Sequence, residues 1–316
     1  MKKQEVKKVK LLSSLLIIFS LATSMLTYDV PYLIDTKFYY EGYIPWWIET
    51  ENLPKLDCYS LFALQPLKDG WHNQFGDGGV EIPNLPAESC KLWTARIMED
   101  DYGDWLKDPE DTKEWVRKLE PFIKNSNGIV LDLEKWDLWA YVMNFIYAYR
   151  EFYPNKKLIV DIPDFRVPLD PEMIDMVDQF HLMAYDYDPD SGILAPLSQT
   201  IESINSYHLI KRKLVLGIPL YGYVKTDSGW VYVANKEIEK GICEDKHTID
   251  GEVHCLLSGD IYSEDGDQLH LNKAPTVYED STCINKKIQL AKRLHLRGVA
   301  FWAVGYYPNV WKKIDR

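Results

Sequence analysis

Apolar residues gather in short runs along this chain, and longer stretches of mixed character separate them. The runs are rich in β-branched and aromatic residues: KFYYEGYI (37–44), CYSLFAL (58–64), KLWTARI (91–97), GIVLDLE (128–134), KLIVDIP (157–163), QFHLMAY (179–185), KLVLGIP (213–219) and GVAFWAV (298–304). Between them lie amphipathic segments at 111–124, 136–152, 201–212 and 283–294. Strands alternating with helices predict βαβ units and a parallel sheet. Eight such strands predict an α/β chain closed into a (β/α)8 TIM barrel. The runs are nearly continuously apolar, as strands covered on both faces are. Two spacers, 45–57 and 65–90, are rich in Pro, Gly and Asp and leave room only for short helices. The stretch 224–280 is too long for one loop and carries strand-like pieces such as GWVYVA (229–234). It reads as a small inserted subdomain between strands seven and eight, within a barrel domain spanning 37–316.

The chain's 316 residues, 46% hydrophobic and 27% charged, fit one large barrel or two ordinary domains. A formal net charge of −12 argues against nucleic acid and anionic membrane surfaces as partners. The first 26 residues stand apart. MKKQEVKKVK carries five lysines and one glutamate, and an almost unbroken apolar run from Leu11 to Leu26 follows. This is the pattern of a secretory signal peptide or an uncleaved signal anchor, and either places the rest of the chain outside the cytosol. Cleavage after Ala22 removes those five lysines and that glutamate, taking the charge from −12 to −16. Five cysteines suit such a compartment. Cys243 and Cys255 flank a turn-rich stretch that a disulfide would close, Cys58 and Cys90 precede neighbouring strands and offer a second bridge, and Cys283 is then left over. No Cys/His cluster has zinc spacing, so neither a metal nor a cofactor is expected.

Active sites of such barrels sit at the C-terminal ends of the strands. Strand four ends in Asp132-Leu133-Glu134, and alternation puts Val130, Asp132 and Glu134 on one inward face, with the two acids' Cα atoms about 6.6 Å apart. The D-x-E spacing recurs at Asp108, Asp170 and Asp250, but in Pro- or Gly-containing turns where solvated surface charge is the simpler reading. Only the pair at 132 and 134 closes an apolar strand, where an inward carboxylate is costly to bury.

Asn127 to Glu134, NGIVLDLE, resembles the strand-four signature D-G-x-D-x-D-x-E of glycoside hydrolase family 18, the chitinases and their relatives. Further similarities follow in order. Met183 to Asp186 is similar to M-x-Y-D at strand six, and Lys213 to Gly222 to K-x-x-x-G-I-P-x-Y-G at strand seven. Val277 to Asp280, Ala291 to Leu294 and Gly298 to Trp302 resemble the last helix and strand. The resemblance covers about residues 37–311. It implies Glu134 as the acid that protonates the glycosidic oxygen and Asp132 as the group bracing the substrate's N-acetyl nitrogen. Tyr185 would bond the acetamido oxygen, Asp186 would support the sugar and the acid, and Trp302 would floor the reacting ring. Met183 belongs to the same motif, and Tyr221 would bind substrate. Tyr43, Trp46 and Trp47 would line one rim, where flat rings stack on sugar faces. The substrate's own acetamide would be the nucleophile, so this family departs from the two-carboxylate retaining scheme.

The match fails at two points. Val130 stands where the family has a middle acid that shares a proton with the residue at Asp132's position. Strand three offers Ala95 to Met98, with Arg96, where the family shows S-x-G-G. Because Asp132 and Glu134 are both present, an enzyme is expected, with a catalytically silent glycan-binding relative as the alternative. The implied partner is an N-acetylglucosamine-containing glycan (chitin oligomers, peptidoglycan or N-glycan cores) acted on by a monomer. No separate carbohydrate-binding module is visible.

Overall fold

The computed structural model describes residues 37–48, 53–75 and 85–315. The signal or anchor segment expected over 1–26 lies outside the described residues. The first two strands are β1 (Tyr39–Pro45) and β2 (Cys58–Leu67), followed by a short β3 (Gly70–Asn73) that runs back antiparallel along β2. Then come β4 (Cys90–Ile97), β5 (Gly128–Leu133), β6 (Lys157–Pro163), β7 (Gln179–Met183) and β8 (Leu214–Pro219). The last barrel strand is β14 (Gly298–Trp302), which pairs with both β8 and β1, while β1 pairs with β2. All eight barrel pairings are parallel, so the sheet closes on itself.

Alternation along each strand divides the apolar residues into two cores. Ile129, Leu131 and Leu133 of β5 face outward, with Val160, Phe180 and Leu216, to be covered by helices. Inward-facing Tyr39, Cys58, Leu92, Val130, Ile159, Val215 and Ala300 fill the barrel itself. The helix Val142–Phe152 buries Val142, Phe145, Ile146 and Tyr149, the spacing of one helical face. Two of the surface D-x-E acids have local duties. Asp108 accepts hydrogen bonds from the Glu110 and Asp111 N–H groups, and Asp170 from that of Glu172, so each caps a helix that opens on proline.

Between β8 and β14 the chain builds a second, antiparallel sheet. Its strands are β9 (Tyr221–Thr226), β10 (Gly229–Ala234), β11 (Ile242–Ile249), β12 (Glu252–Tyr262) and β13 (Gln268–Tyr278), in spatial order β10-β9-β13-β12-β11. Val224, Val233, Val253, Leu257 and Ile261 form its small core, and Cys283 of the following helix, Ser281–Arg293, completes it. The third surface acid pair proves different from the solvated turn expected of it. Glu252 is buried and accepts the Ala195 N–H at 2.7 Å. Beside it, fully buried Lys287 donates to the Ala195 carbonyl at 2.6 Å and lies 2.5 Å from Glu279. These four residues join the β7–β8 connection, both ends of the β12–β13 hairpin and the final helix. Among the described residues no helix is long and apolar enough to cross a membrane.

Cys58 and Cys90 form a disulfide between directly paired positions of β2 and β4, and Cys243 and Cys255 form a second between β11 and β12. Cys283 is free and buried, and burial pushes its thiol up to about 12, leaving it protonated and unreactive. Non-reducing peptide mapping should therefore recover two linked peptides, 58–90 and 243–255, with Cys283 alkylated only after unfolding. Labelling of Cys283 in the native protein would contradict its placement.

Candidate active site

The C-terminal ends of the barrel strands surround a pocket of about 240 Å³. Asp132, the last inward residue of β5, is 3% exposed, and its Oδ1 has no hydrogen-bond partner among the described residues. Glu134 follows the strand's end. Its N–H bonds the Ile97 carbonyl at 3.0 Å, which prolongs the ladder and keeps Glu134 on the same wall. Arg96 of β4 lies beside Asp132 in register, with its guanidinium 5.8 Å from the centre of the Phe62 ring. Five carboxylates (Asp132, Glu134, Asp161, Asp186, Glu264) and this one guanidinium line the pocket. Burial raises the Asp132 carboxyl well above its ordinary range, the charges of Glu134 and Asp161 add to the rise, and Arg96 opposes it. Glu134 is raised by burial and by Asp186, again against Arg96. Both environments favour the protonated acid.

β7, two strands along from β5, delivers the next part of the wall. Met183 ends the strand, and Tyr185 and Asp186 follow it into the pocket. Asp186 adopts a left-handed backbone, φ 59°, a conformation Asp tolerates better than most residues. Its Oδ1 accepts from the Tyr221 hydroxyl at 2.5 Å and also from the Tyr223 hydroxyl. Both tyrosines come from β9, so the inserted sheet holds this carboxylate in place. Burial and four neighbouring acids keep the Tyr185 hydroxyl protonated as a donor. Gly217 explains how that ring fits, because a Cβ there would meet the Leu182 carbonyl oxygen at 2.6 Å and Tyr185 Cε1 at 2.8 Å. Trp302, the last residue of β14, closes the floor with its ring 4.7 Å from Phe62 and 5.6 Å from Tyr43. Among the described residues no group of His, Cys, Asp and Glu side chains could hold a metal ion.

Asp132, Glu134, Met183, Tyr185, Asp186, Tyr221, Tyr43 and Trp302 thus meet in one pocket. Tyr43 is not at a rim. It occupies an inward position of β1, is 5% exposed, and its hydroxyl lies 2.7 Å and 2.9 Å from the two Asp161 oxygens. Trp46 stays outside the pocket lining, 42% exposed and edge-on to Trp47. Trp47 does line it, donating from Nε1 to the Tyr306 hydroxyl at 2.9 Å, and Tyr306 in turn donates to Glu264. An open groove of about 490 Å³ adjoins the pocket, sharing Trp47 and Glu264 and adding Tyr262 and Tyr306. Sequence reasoning missed Asp161, although it carries the same signal as Asp132: an acid at an inward position near the end of an apolar strand. Glu264 and Tyr232 lie on the insertion and carry no such signal.

The sequence pattern of the Glycosyl hydrolases family 18 matches residues 93–306. No curated protein matches the chain. Solved structures similar to it include a GH18 chitinase from Cycas revoluta in complex with (GlcNAc)3, at 16% identity and TM-score 0.68, covering 87% of this chain and 98% of that one. GH18 chitinase ChiB of Flavobacterium johnsoniae is 19% identical at TM-score 0.65, over 86% and 89% of the two chains. The C-terminal domain of a putative chitinase from Desulfitobacterium hafniense is 16% identical at TM-score 0.64, over 88% and 99%. At such identities the likeness is one of fold.

The Gly217 contact gives a direct test of the wall's packing. Gly217→Ala forces a methyl against a backbone oxygen that cannot give way, so we expect a loss of about 1–3 kcal/mol in urea unfolding. A variant as stable as the parent would show that the β7 backbone at Leu182 sits elsewhere.

Proposed function

The chain belongs to glycosyl hydrolases family 18 and is a glycoside hydrolase, and on that premise we propose that it cleaves β-1,4 bonds of N-acetylglucosamine-containing glycans with the substrate's own acetamide as nucleophile. The observation that carries this reading is the unpartnered Oδ1 of Asp132. A buried acceptor facing a pocket costs stability unless a donor arrives, and an acetamide N–H is a donor of the right kind. Three of the other four carboxylates on the walls are already engaged, and Glu134 is the acid. Asp186 is held by Tyr221 and Tyr223, Asp161 by Tyr43, and Glu264 by Tyr306.

In this scheme Glu134, protonated because it is enclosed, gives its proton to the glycosidic oxygen as the bond breaks. The acetamido oxygen attacks the anomeric carbon, the Tyr185 hydroxyl fixes that oxygen's approach, and Asp132 stabilises the positive charge growing on the acetamide nitrogen. A ring lying on Trp302 is held against an apolar face. Water then opens the cyclised intermediate, with Glu134 taking back a proton, and the anomeric configuration is retained. Asp132 cannot act as an opposed nucleophile, since it shares a strand and a face with the acid. The groove beside Trp47 and Tyr262 supports an oligomeric substrate, and two disulfides support action outside the cytosol.

Glu134→Gln should fold normally and lose at least ~10²-fold in turnover of a chromogenic N-acetylglucosamine oligomer. Asp132→Asn should lower kcat more than it raises KM, because its contribution grows in the transition state. Plain glucosides should be nearly inert, and a thiazoline analogue of N-acetylglucosamine should inhibit competitively. Inverted products would sink the mechanism, while glycan binding without turnover would indicate a silent lectin-like relative. The pH profile supplies a separate check. Activity requires protonated Glu134 and falls as pH rises through its raised pKa. Asp186→Asn removes a charge that raises this pKa, so the alkaline limb should move to lower pH.

A further inference from the structure

Below the pocket's acids a chain of polar side chains crosses the barrel interior, and the scheme above leaves it without a task. Glu41 on β1 accepts from the Tyr39 hydroxyl at 2.7 Å and from the Ser60 hydroxyl, and lies 3.6 Å from His181 Nε2. His181 Nδ1, on β7, is 2.6 Å from the Tyr43 hydroxyl, which itself reaches Asp161. Tyr43 has one proton to donate. With Asp161 as its acceptor, the His181 ring must be the donor to Tyr43, from Nδ1–H. Burial lowers the His181 pKa, consistent with this neutral tautomer. Each of these groups is nine-tenths buried or more. The chain ends at Asp161, which lines the pocket beside Asp132. The β5–β6 register pairs Leu131 with Val160, so Asp132 and Asp161 occupy the next neighbouring positions, both inward, on strands about 4.8 Å apart. Directly below Asp132 on its own strand is Val130, which offers no polar atom.

We propose that Asp161 is a positioning residue for the reaction, acting on Asp132 from the adjacent strand: the two carboxyls hold one proton between them, and Asp161 takes it when Asp132 turns to the acetamide N–H. The inference rests on the mechanism proposed above. Two neighbouring carboxylates in an enclosed site cannot both ionise readily. Before substrate binds, Asp132 carries the proton and Asp161 the charge, supported by the Tyr43 hydroxyl. On binding, the proton passes from an Asp132 oxygen to an Asp161 oxygen. Asp132 becomes anionic as Asp161 becomes neutral, so the pair's total charge is unchanged. Tyr43 still has the second Asp161 oxygen to bond, so one cradle serves both forms. The proton returns when product leaves. The strand-four acid that the family motif carries, replaced here by Val130, is thereby substituted from β6.

The groups facing this pair are Glu41 and Tyr43 from β1, Arg96 from β4, Asp101 beyond it, Glu134 after β5, and His181 and Tyr185 from β7 and its end. The test is carboxyl ¹³C NMR titration of the full chain, with assignments from Asp→Asn variants, beside the pH profile of kcat/KM. In the parent, Asp132 should titrate in two steps shared with Asp161. In Asp161→Asn it should titrate once, at lower pH than the parent's upper step, and the acidic limb, read as kcat/KM, should move to higher pH by about half a unit or more, because Asp132 must then give its proton to solvent. Tyr43→Phe offers a second route if Asp161→Asn misfolds. Removing that hydroxyl favours neutral Asp161, so the Asp132 titration again moves to lower pH. An Asp132 titration and an acidic limb unmoved in the folded variants would overturn the proposal, since a merely structural Asp161 would lower activity equally at every pH. Coupled titration in a protein without turnover would sustain the proton-sharing pair and sink the proposed hydrolysis. Turnover with independent titrations would sink only the role of Asp161.

Discussion

In a closed parallel barrel every second side chain of each strand is fenced in by its neighbours, with the two ends as the only exits. Whatever the sequence places at those positions must pack, pair or reach an end. Here the lower levels combine apolar packing, on Val130, Ile159, Val215 and a disulfide, with the paired polar groups Glu41, Ser60 and His181, while the upper levels are acids and their hydrogen-bond donors. Five carboxylates facing one guanidinium cannot all be ionised in an enclosed space. The site therefore holds protons at pH values where the same residues on a surface would have released them. The architecture that makes these acids costly to bury is also what makes them useful as acids.

The barrel does not complete the site unaided. Asp186 follows a barrel strand, yet the hydroxyls that fix it come from β9, and Glu264 and Tyr232 arrive on the same insertion. That sheet is in turn tied to the barrel through Glu252, Lys287 and Glu279, none of which lines the pocket. Breaking such a buried ion pair by removing one partner is far more damaging than replacing both. The geometry around Asp186 thus depends on contacts made outside the pocket.

The eight barrel strands were legible because strands covered on both faces read as apolar runs, and the acids at 132 and 134 because they interrupt one of those runs at its catalytic end. Asp161 carried the same signal and was passed over, since no motif drew attention to it. Tyr43 was assigned to a rim because an aromatic near a strand's end suits an exposed stacking surface. The parity of Tyr39, Glu41 and Tyr43 along β1 turns it inward instead. Glu252 was hidden differently. It sits in a Gly-containing turn that suggests solvent, and its burial depends on the Ala195 backbone more than fifty positions earlier. Contacts of that separation leave no local trace in a sequence.

The insertion leaves β8 at Leu220 and its last strand ends at Tyr278, and these two ends are adjacent, since Gly222 pairs with Tyr278 across β9 and β13. The chain therefore enters and leaves nearly sixty residues through one hydrogen-bonded stem. Such a stem closes its loop whatever lies beyond it, and lengthening a closed loop adds little entropic cost. The exposed edge strand β11 can change its surface without disturbing strand order, whereas the turn between β11 and β12 is held by the backbone at Ala195 and Leu197.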